Sequence, residues 1–427
     1  MLLPDQILVE AHLESHRLAD ESAEVHARME AALSDVVWTG RRVGLAVGSR
    51  GIDRQAAVVA AVVRFIADRG GRPFIIPAMG SHGGATGAGQ AQVLESLGVT
   101  EEAVGAPIRS SLETVDLGVT PGGTRGLTAR DAREADAIIL INRVKPHTDF
   151  DGRIGSGLLK LCAIGLGKPD GAFECHRAAA RAGHEAVIRS VARLVLARLP
   201  VVCGVALLED GRHQLARIEV LRPAELESRE EALLEQAKRW APSLPFPVID
   251  VLIIDEMGKD ISGAGMDPHV TGRGVDGLPR GDRSADVRAI YVRALTPETH
   301  GNAIGLGLAD VVSSALVAGM NRRTTYTNAL SAMVPATARI PMHFDTDAEC
   351  LQAALRVAGA DEPSNAGIVR IRNTLALDRF VVSRRYAREV SERADLRALT
   401  PATPWRLGPD GNLESVDWLV MERGAER

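Results

Sequence analysis

The sequence predicts an α/β protein of two domains, each built on a mainly parallel sheet, with a cleft between the domains. Three observations predict it. Short apolar runs of strand length alternate with helical patterns, as in doubly wound sheets. The chain has 427 residues, enough for two domains of ordinary size. A segment with three prolines in seven residues, Ala241–Pro247, divides two such alternating regions.

The elements of the first half follow from their composition. Each predicted strand is an apolar, largely β-branched run bounded by turn residues. A helix over Arg54–Arg69 has apolar residues at helical spacing and ends at Gly70 and Gly71. Further helices are expected over Ala178–Leu199 and Ala224–Trp240. The predicted strands are Val43–Val47, Pro73–Pro77, Ala137–Ile141 and Val201–Leu208.

The proline-rich linker sets the predicted domain boundary. Residues 1–245 form an N-terminal domain that carries the main motifs, and residues 248–400 form a C-terminal domain. The second half begins with the strand Val251–Ile254 and includes a helix predicted near 301–319. The tail, 400–427, could return to the first domain, and the sequence leaves this open.

Composition and charge exclude several classes of protein. The net charge is −5 and aromatic residues make up 3%, with no basic stripe, so nucleic acid is a poor candidate partner. No stretch of about 18 uncharged apolar residues occurs, so we expect no membrane span. Four cysteines without a CxxC pair are typical of a reducing compartment, and a cytoplasmic location is expected. The sequence leaves a homo-oligomer open.

Two glycine-rich loops follow predicted strands. The first contains Gly48, Ser49 and Arg50 between a strand and a long helix, where backbone amides and the helix terminus favour an anion such as phosphate. The second places His82 among glycines, which suggests that the backbone passes close to a ligand. The alternatives, an ordinary tight turn and an exposed loop histidine, remain open on these residues alone.

The richest motif runs from Asn142 to Lys168 and begins where the strand Ala137–Ile141 ends. It contains His147, and it contains Lys160 in an apolar run after Ser156. Partial desolvation there would lower the lysine pKa and raise its nucleophilicity, although a lysine whose ammonium reaches water is the alternative.

A third histidine, His176, follows in Glu174–Arg177. Its neighbour Cys175 does not make a zinc signature, because a second ligand pair is missing. In the second half, a polar glycine-rich loop from Asp255 to Arg273 follows a buried strand. Such a loop is a candidate site, and a solvated surface loop is the alternative.

In their order and rough spacing, His82, His147, Lys160 and His176 resemble the lactate racemase family, whose members use a nickel-pincer nucleotide. The resemblance extends over about residues 40–380 and is strongest from 79 to 176. It implies a racemase or epimerase that inverts a 2-hydroxy acid.

The resemblance also implies roles for these residues. Lys160 would carry the nucleotide through a thioamide, and His176 would complete the coordination of nickel. His82 and His147 would act as general acid and base on the two sides of the substrate carbon. The implied nucleotide contacts are Gly48, Ser49, Arg50 and Ser156, and the implied substrate contacts are Lys259 and Glu256.

Two residues depart from the family's pattern. Val47 stands where an aspartate is usual at the start of the phosphate-binding loop, so its hydrogen bonds to the nucleotide are missing. Glu256 stands where an amide is expected, and it would repel an anionic substrate unless protonated or paired, for example with Lys259. A larger or polyhydroxylated acid is therefore an alternative to lactate. A cofactor-free lyase or hydrolase and a non-catalytic protein that binds a sugar acid or a nucleotide are the other hypotheses.

Overall fold

The protein folds as two α/β units in a computed structural model that describes residues 3–49, 51–279 and 285–418. One unit, here called the central unit, runs from Glu14 to Ala241. The other, here called the terminal unit, combines the residues up to Leu13 with those from Pro242 onward. Among the described residues, no helix is long and apolar enough to cross a membrane.

The strands lie in three sheets. In chain order they are β1 (Asp5–Ala11), β2 (Arg42–Val47), β3 (Arg72–Pro77), β4 (Thr114–Val119), β5 (Arg125–Ala129), β6 (Ala137–Arg143), β7 (Val201–Glu209), β8 (Leu215–Leu221), β9 (Val248–Met257), β10 (Asp286–Leu295), β11 (Val311–Ser313), β12 (Met342–Phe344), β13 (Ile368–Ile371), β14 (Arg379–Ser383), β15 (Leu396–Ala398) and β16 (Thr403–Pro404).

The α-helices cover the faces and connect the strands. In chain order they are α1 (Glu21–Leu33), α2 (Gln55–Ala67), α3 (Gly87–Ser96), α4 (Glu101–Val104), α5 (Arg130–Arg133), α6 (Leu158–Lys160), α7 (Lys168–Ala182), α8 (His184–Arg198), α9 (Leu226–Trp240), α10 (Pro268–Thr271), α11 (Ser314–Ala318), α12 (Arg322–Ala332), α13 (Asp347–Val357) and α14 (Ala387–Glu392).

The sheet of the central unit has the order β3-β2-β6-β7-β8, with β8 antiparallel and the other strands parallel. Its strands are apolar on both faces, because successive side chains point to opposite sides and each side carries helices. Leu45 and Ile139 pack with α1 and α2, whereas Ala46 and Leu140 pack with the helices α6 to α9. This is the α/β architecture that the alternating pattern predicts.

The sheet of the terminal unit has the order β12-β11-β10-β9-β13-β14-β1-β15. The strands from β12 to β13 are parallel, and the rest pair antiparallel. Strand β1 therefore belongs to the sheet of the second half, which corrects the expectation that residues 1–245 form one domain. Its buried Ile7 and Val9 complete the core of that sheet, and both of its edges pair with strands from beyond residue 378.

The open question of the tail is answered for its described part, up to residue 418. Strand β16 pairs with β1 in the terminal unit. Two expected helices differ from the observed ones. The region 301–319 contains β11 and only the short α11, since Gly301 and Gly305 adopt positive φ. The helix expected over Ala178–Leu199 is divided at Gly183, which also has positive φ.

Candidate active site

Three loops of the central unit meet at one edge of its sheet. They follow β3, β2 and β6, which are neighbours in that order, and the carboxyl ends of parallel strands are where such sheets bind ligands. Gly48 begins the loop after β2, and a Cβ there would lie 2.2 Å from Oδ1 of Asn142. Asn142 in turn donates from Nδ2 to the carbonyl of Gly157 at 2.8 Å. Asn142 therefore joins the end of β6 to the loop after β2 and to the start of the segment that carries Lys160.

Ser49 and His82 form a hydrogen-bonded pair at this edge. Ser49 Oγ lies 2.6 Å from His82 Nδ1, and both side chains are accessible to solvent. The glycines around His82 allow the close approach that the sequence suggests, since a Cβ on Gly83 would lie 2.4 Å from the carbonyl carbon of Gly89. Arg50, the other charged residue expected here, lies outside the described residues.

Lys160 ends the short helix α6 and is followed at once by a π-helical turn over Leu161–Gly165. The turn is closed by a hydrogen bond from the N–H of Leu166 to the carbonyl of Leu161 at 2.8 Å. Such π segments are rare and occur often at functional sites. The unusual backbone begins at the residue directly after the lysine.

A buried carboxylate supports the start of α6. Glu230 of helix α9 accepts a hydrogen bond from the N–H of Leu159 at 3.0 Å. Burial raises the pKa of Glu230 to about 7, against the opposing effect of this backbone bond. Gly157 makes room for the carboxylate, because a Cβ there would lie 2.4 Å from Oε1 of Glu230. The sequence did not single out Glu230. It lies in the charged helix α9, 70 residues after Lys160, and nothing in the pattern of that helix marks one glutamate as buried.

Lys160 and His147 contact each other directly. Lys160 Nζ lies 2.6 Å from His147 Nε2, and the backbone N–H of Asp149 donates to His147 Nδ1 at 3.0 Å. Which of Lys160 Nζ and His147 Nε2 donates depends on the tautomer of His147. The contact brings the lysine amine and the imidazole within hydrogen-bond distance of each other.

An aromatic cluster surrounds this pair. His147 stacks on Phe150 at 4.5 Å between ring centroids, and Phe150 stacks on His184 at 5.1 Å. His176 meets the edge of His184 at 6.2 Å. His184 was missed by the sequence analysis. The available signal was a histidine eight residues after His176, directly behind the helix break at Gly183.

His176 is held in the neutral form. Burial is the largest reason that its pKa falls to about 4, and the nearby Lys160 and His184 act in the same direction. Its Nδ1 is buried without a hydrogen-bond partner among the described residues. Burial also lowers the pKa of His184. A neutral imidazole with an unpaired buried nitrogen is suited to bind a metal.

Lys168, at the end of the same motif, has a structural role. It is fully buried at positive φ and donates to the carbonyl of Pro77 at 2.7 Å and to Gln90 Oε1 at 3.0 Å. Gln90 donates to the carbonyl of Gly80 at 2.7 Å. Burial lowers the pKa of Lys168 to about 8. The lysine thus supports the loop that carries His82.

Ser156 lies in a bridge beside the site. Its backbone N–H and carbonyl exchange hydrogen bonds with those of Lys145, at 2.9 and 2.8 Å, and the residue is buried. This bridge brings the segment before α6 alongside the start of the His147 loop. The four cysteines are free and buried, which agrees with the absence of a disulfide framework in the sequence.

The two residues expected to contact substrate lie in the terminal unit, after β9. Glu256 Oε1 accepts hydrogen bonds from Arg372 Nε and Asn373 Nδ2, each at 2.9 Å. Lys259 Nζ donates to the carbonyl of Gly263 at 2.9 Å. The carboxylate of Glu256 is thus paired with Arg372, whereas the sequence offered Lys259 as an example of a partner. Strand β13 lies beside β9, so Arg372, which follows β13, reaches the same sheet edge as Glu256.

No group of three or more histidine, cysteine, aspartate or glutamate side chains in the described ranges could hold a metal ion. A bare ion held by protein ligands alone usually needs such a group. The single neutral imidazole of His176 is enough only for a metal whose other ligands come from a bound cofactor.

Comparison with known proteins gives distant similarities. A family described as a domain of unknown function (DUF362) matches residues 48–222, which is less than half of the chain. A protein from Thermotoga maritima is 15% identical, over 66% of this chain and 72% of that one, with a TM-score of 0.49. The lactate racemase apoprotein from Thermoanaerobacterium thermosaccharolyticum is 11% identical, over 87% of this chain and 99% of that one, with a TM-score of 0.48. No curated protein matches the chain. The matched family range contains every predicted site residue of the central unit, from Gly48 to His176.

Proposed function

We propose that this protein is a racemase or epimerase of a 2-hydroxy acid that works with a lysine-tethered nickel-pincer nucleotide. The observation that carries the proposal is the placement of His82 and His147. They follow β3 and β6, the strands on either side of β2, and strands two apart in a sheet are separated by about 10 Å. A small hydroxy acid above the loop after β2 would therefore have one histidine on each side.

Inversion requires a base on each face of the substrate carbon. One imidazole accepts the proton of the 2-hydroxyl group, and a planar 2-keto acid results when the hydrogen of carbon 2 leaves as hydride. The keto acid can then present its other face, hydride returns to carbon 2, and the second imidazole, in its protonated form, donates a proton to the oxygen. An imidazole ordinarily titrates near 6.5, so it can both accept and donate close to neutral pH.

Hydrogen bonds of the chain itself orient the two bases. Ser49 fixes Nδ1 of His82, and the backbone N–H of Asp149 fixes Nδ1 of His147. In His82 the nitrogen Nε2 lies on the side of the ring opposite to its contact with Ser49. In His147, Nε2 lies 2.6 Å from Lys160 Nζ. Stacking of His147 on Phe150 restricts rotation of that ring as well. These contacts orient the two rings.

The residues present fit the cofactor. Lys160 offers an amine that could make a thioamide, and His176 offers an imidazole with an unpaired buried nitrogen. Imidazole is a suitable ligand for nickel. Gly48, Ser49, Arg50 and Ser156 are the proposed contacts of the nucleotide. When bound, the nickel-pincer nucleotide would supply the acceptor for the hydride of carbon 2.

Lys259 is the proposed partner of the substrate carboxylate. The repulsion expected from Glu256 is reduced, because Arg372 already pairs with that carboxylate. With its charge balanced, Glu256 can accept hydrogen bonds from substrate hydroxyl groups, which favours a polyhydroxylated acid over lactate.

The kinetic test uses protein co-produced with the enzymes that make the cofactor. Single enantiomers of 2-hydroxy acids, including sugar acids, are incubated with it, and the products are separated by chiral chromatography. We expect inversion by the wild type, and a loss of 10²- to 10⁴-fold in His82→Asn and His147→Asn, the usual contribution of general acid–base catalysis. His26→Asn, on the exposed face of α1, is the matched control and should keep full activity.

Isotope labelling tests the type of reaction. A substrate deuterated at carbon 2 should keep its label through inversion, because no side chain removes that hydrogen as a proton. Exchange of the label with solvent, or inversion that survives both histidine substitutions, would contradict the proposal.

A cofactor-free lyase is the second candidate, favoured by the same contact between Lys160 and His147. An uncharged amine can form an imine with a carbonyl substrate. Borohydride added with 2-keto acids would then trap a substrate-sized adduct on Lys160 in protein made without cofactor. The absence of trapping, together with cofactor-dependent inversion, would exclude this candidate.

A further inference from the structure

The terminal unit contains a cavity of about 160 Å³ that lies away from the residues discussed so far. Its floor is a row of side chains across three strands, since Arg370 of β13 pairs with Val381 of β14, and Val381 pairs with Leu8 of β1. Gln6 continues the same face of β1. The roof is the chain between Thr400 and Val416, which includes Trp405.

Three residues that line this cavity have polar side-chain atoms buried without hydrogen-bond partners among the described residues. These atoms are the donors Nη2 of Arg370 and Nε1 of Trp405 and the acceptor Oε1 of Gln6. Arg370 is 2% exposed. A buried polar atom that lacks a partner is costly, and one on a guanidinium more so, so three such atoms in residues around one space indicate a polar occupant.

The rest of the arginine is already engaged. Arg370 Nε donates to Asp255 at 2.8 Å, and Nη1 donates to the backbone carbonyl of Glu414 at 3.0 Å. Asp255 is shared with Arg293, which lies 3.0 Å away. These bonds fix the orientation of the guanidinium plane, and with it the position of the unused Nη2.

The remaining lining indicates the chemistry of the occupant. Leu8, Val381 and Leu413 supply apolar walls. At the rim, the exposed Glu414 and Arg406 carry opposite charges, and the buried Arg370, although paired with Asp255 through Nε, keeps Nη2 as a donor. The amide of Gln6 can turn to present its nitrogen as a third donor. Convergent donors beside apolar walls suit an anionic head on a short hydrocarbon body.

We propose that this cavity binds a small organic carboxylate, whose oxygens accept hydrogen bonds from Arg370 Nη2 and Trp405 Nε1. A cavity of this size can hold a molecule about as large as benzene. Inorganic phosphate offers the same anionic oxygens without the hydrocarbon body, so it should bind more weakly. The proposal concerns the terminal unit alone and does not depend on the proposed function.

The test is isothermal titration of the full chain, made without cofactor, with benzoate and butyrate. Benzamide serves as the uncharged counterpart of benzoate, and inorganic phosphate as the anion without an apolar body. We expect saturable binding of the carboxylates at one site per chain with about millimolar affinity. Benzamide and phosphate should each bind at least about fivefold more weakly.

Two variants locate the binding. Trp405→Phe keeps the ring and removes the N–H, and it should weaken benzoate binding about fivefold to tenfold. Trp38→Phe is the matched control, because Nε1 of Trp38 is also buried without a partner but lies in the central unit. It should bind benzoate as the wild type does. Circular dichroism confirms that both variants are folded.

Three results would overturn the proposal. The first is the absence of saturable carboxylate binding, which is expected if only water fills the cavity. The second is binding of benzamide or phosphate as tight as that of benzoate, and the third is an equal loss of benzoate binding in the two tryptophan variants. Because no cofactor is present in this titration, its outcome is separate from the outcome of the racemase assay.

Discussion

Replacing Glu230 by glutamine should stabilise the central unit at alkaline pH and have almost no effect under acidic conditions. Burial raises the pKa of this carboxyl from its ordinary value of 4.5 to about 7. Glutamine has nearly the same shape and can still accept from the N–H of Leu159. The substitution therefore removes the cost of a buried charge and keeps the hydrogen bond at the start of α6.

The magnitude follows from the pKa. Each pKa unit is equivalent to 1.36 kcal/mol, so the penalty of ionising Glu230 in the folded state is about 3 kcal/mol. Because the folded-state pKa is the higher one, the unit loses this stability as pH rises from about 4.5 through 7. Below that window the carboxyl is protonated in both folded and unfolded chains, and wild type and Glu230→Gln should be equally stable.

The assay is urea unfolding at pH 4.5, 6 and 8, monitored by circular dichroism and tryptophan fluorescence, with each transition fitted separately for the two units. Glu95→Gln, on the exposed side of α3, is the matched control and should not change the pH dependence. A difference between wild type and Glu230→Gln that stays constant from pH 4.5 to 8 would refute the reasoning.

Three further predictions follow from the site. Gly48→Ala should abolish cofactor loading measured by intact mass, because the new Cβ would overlap the side chain of Asn142; normal loading would mean that this loop can shift. The free energy of unfolding of the wild type should rise by up to about 3 kcal/mol between pH 8 and 10.5. The reason is that the pKa of Lys168 is lowered to about 8, so the folded protein loses this buried charge before the unfolded chain does. Lys168→Met should lack this rise in urea unfolding. Glu256→Gln should shift kcat/KM towards simple 2-hydroxy acids, and an unchanged substrate profile would contradict the role given to Glu256.

Local patterns predicted the frame of the site well. Strands β2, β3 and β6 were expected from their apolar runs, and the loops after them were expected to carry Ser49, His82 and His147. These predictions rest on residues close together in sequence. The sheet order then explains why the loops share one edge, because strands β3, β2 and β6 are neighbours.

The contacts that set the chemistry of the site could not be predicted in this way. The contact of Lys160 with His147 depends on the short α6 and the π turn that follows, and no propensity scale forecasts a π turn. Glu230 reaches the site from a distant helix. The position of β1 depends on its pairing with strands formed by the last 50 residues. A local sequence pattern contains no information on such a long-range pairing.

The proposed tether on Lys160 is tested by the intact mass and nickel content of protein co-produced with the cofactor-forming enzymes. Wild type is compared with Lys160→Ala and with Lys238→Ala, a lysine substitution on α9 of the same unit. We expect an adduct of nucleotide size and about one nickel per chain in the wild type and in Lys238→Ala, and neither in Lys160→Ala. Unmodified, nickel-free wild type, under conditions that load a known lactate racemase in parallel, would contradict the proposed tether.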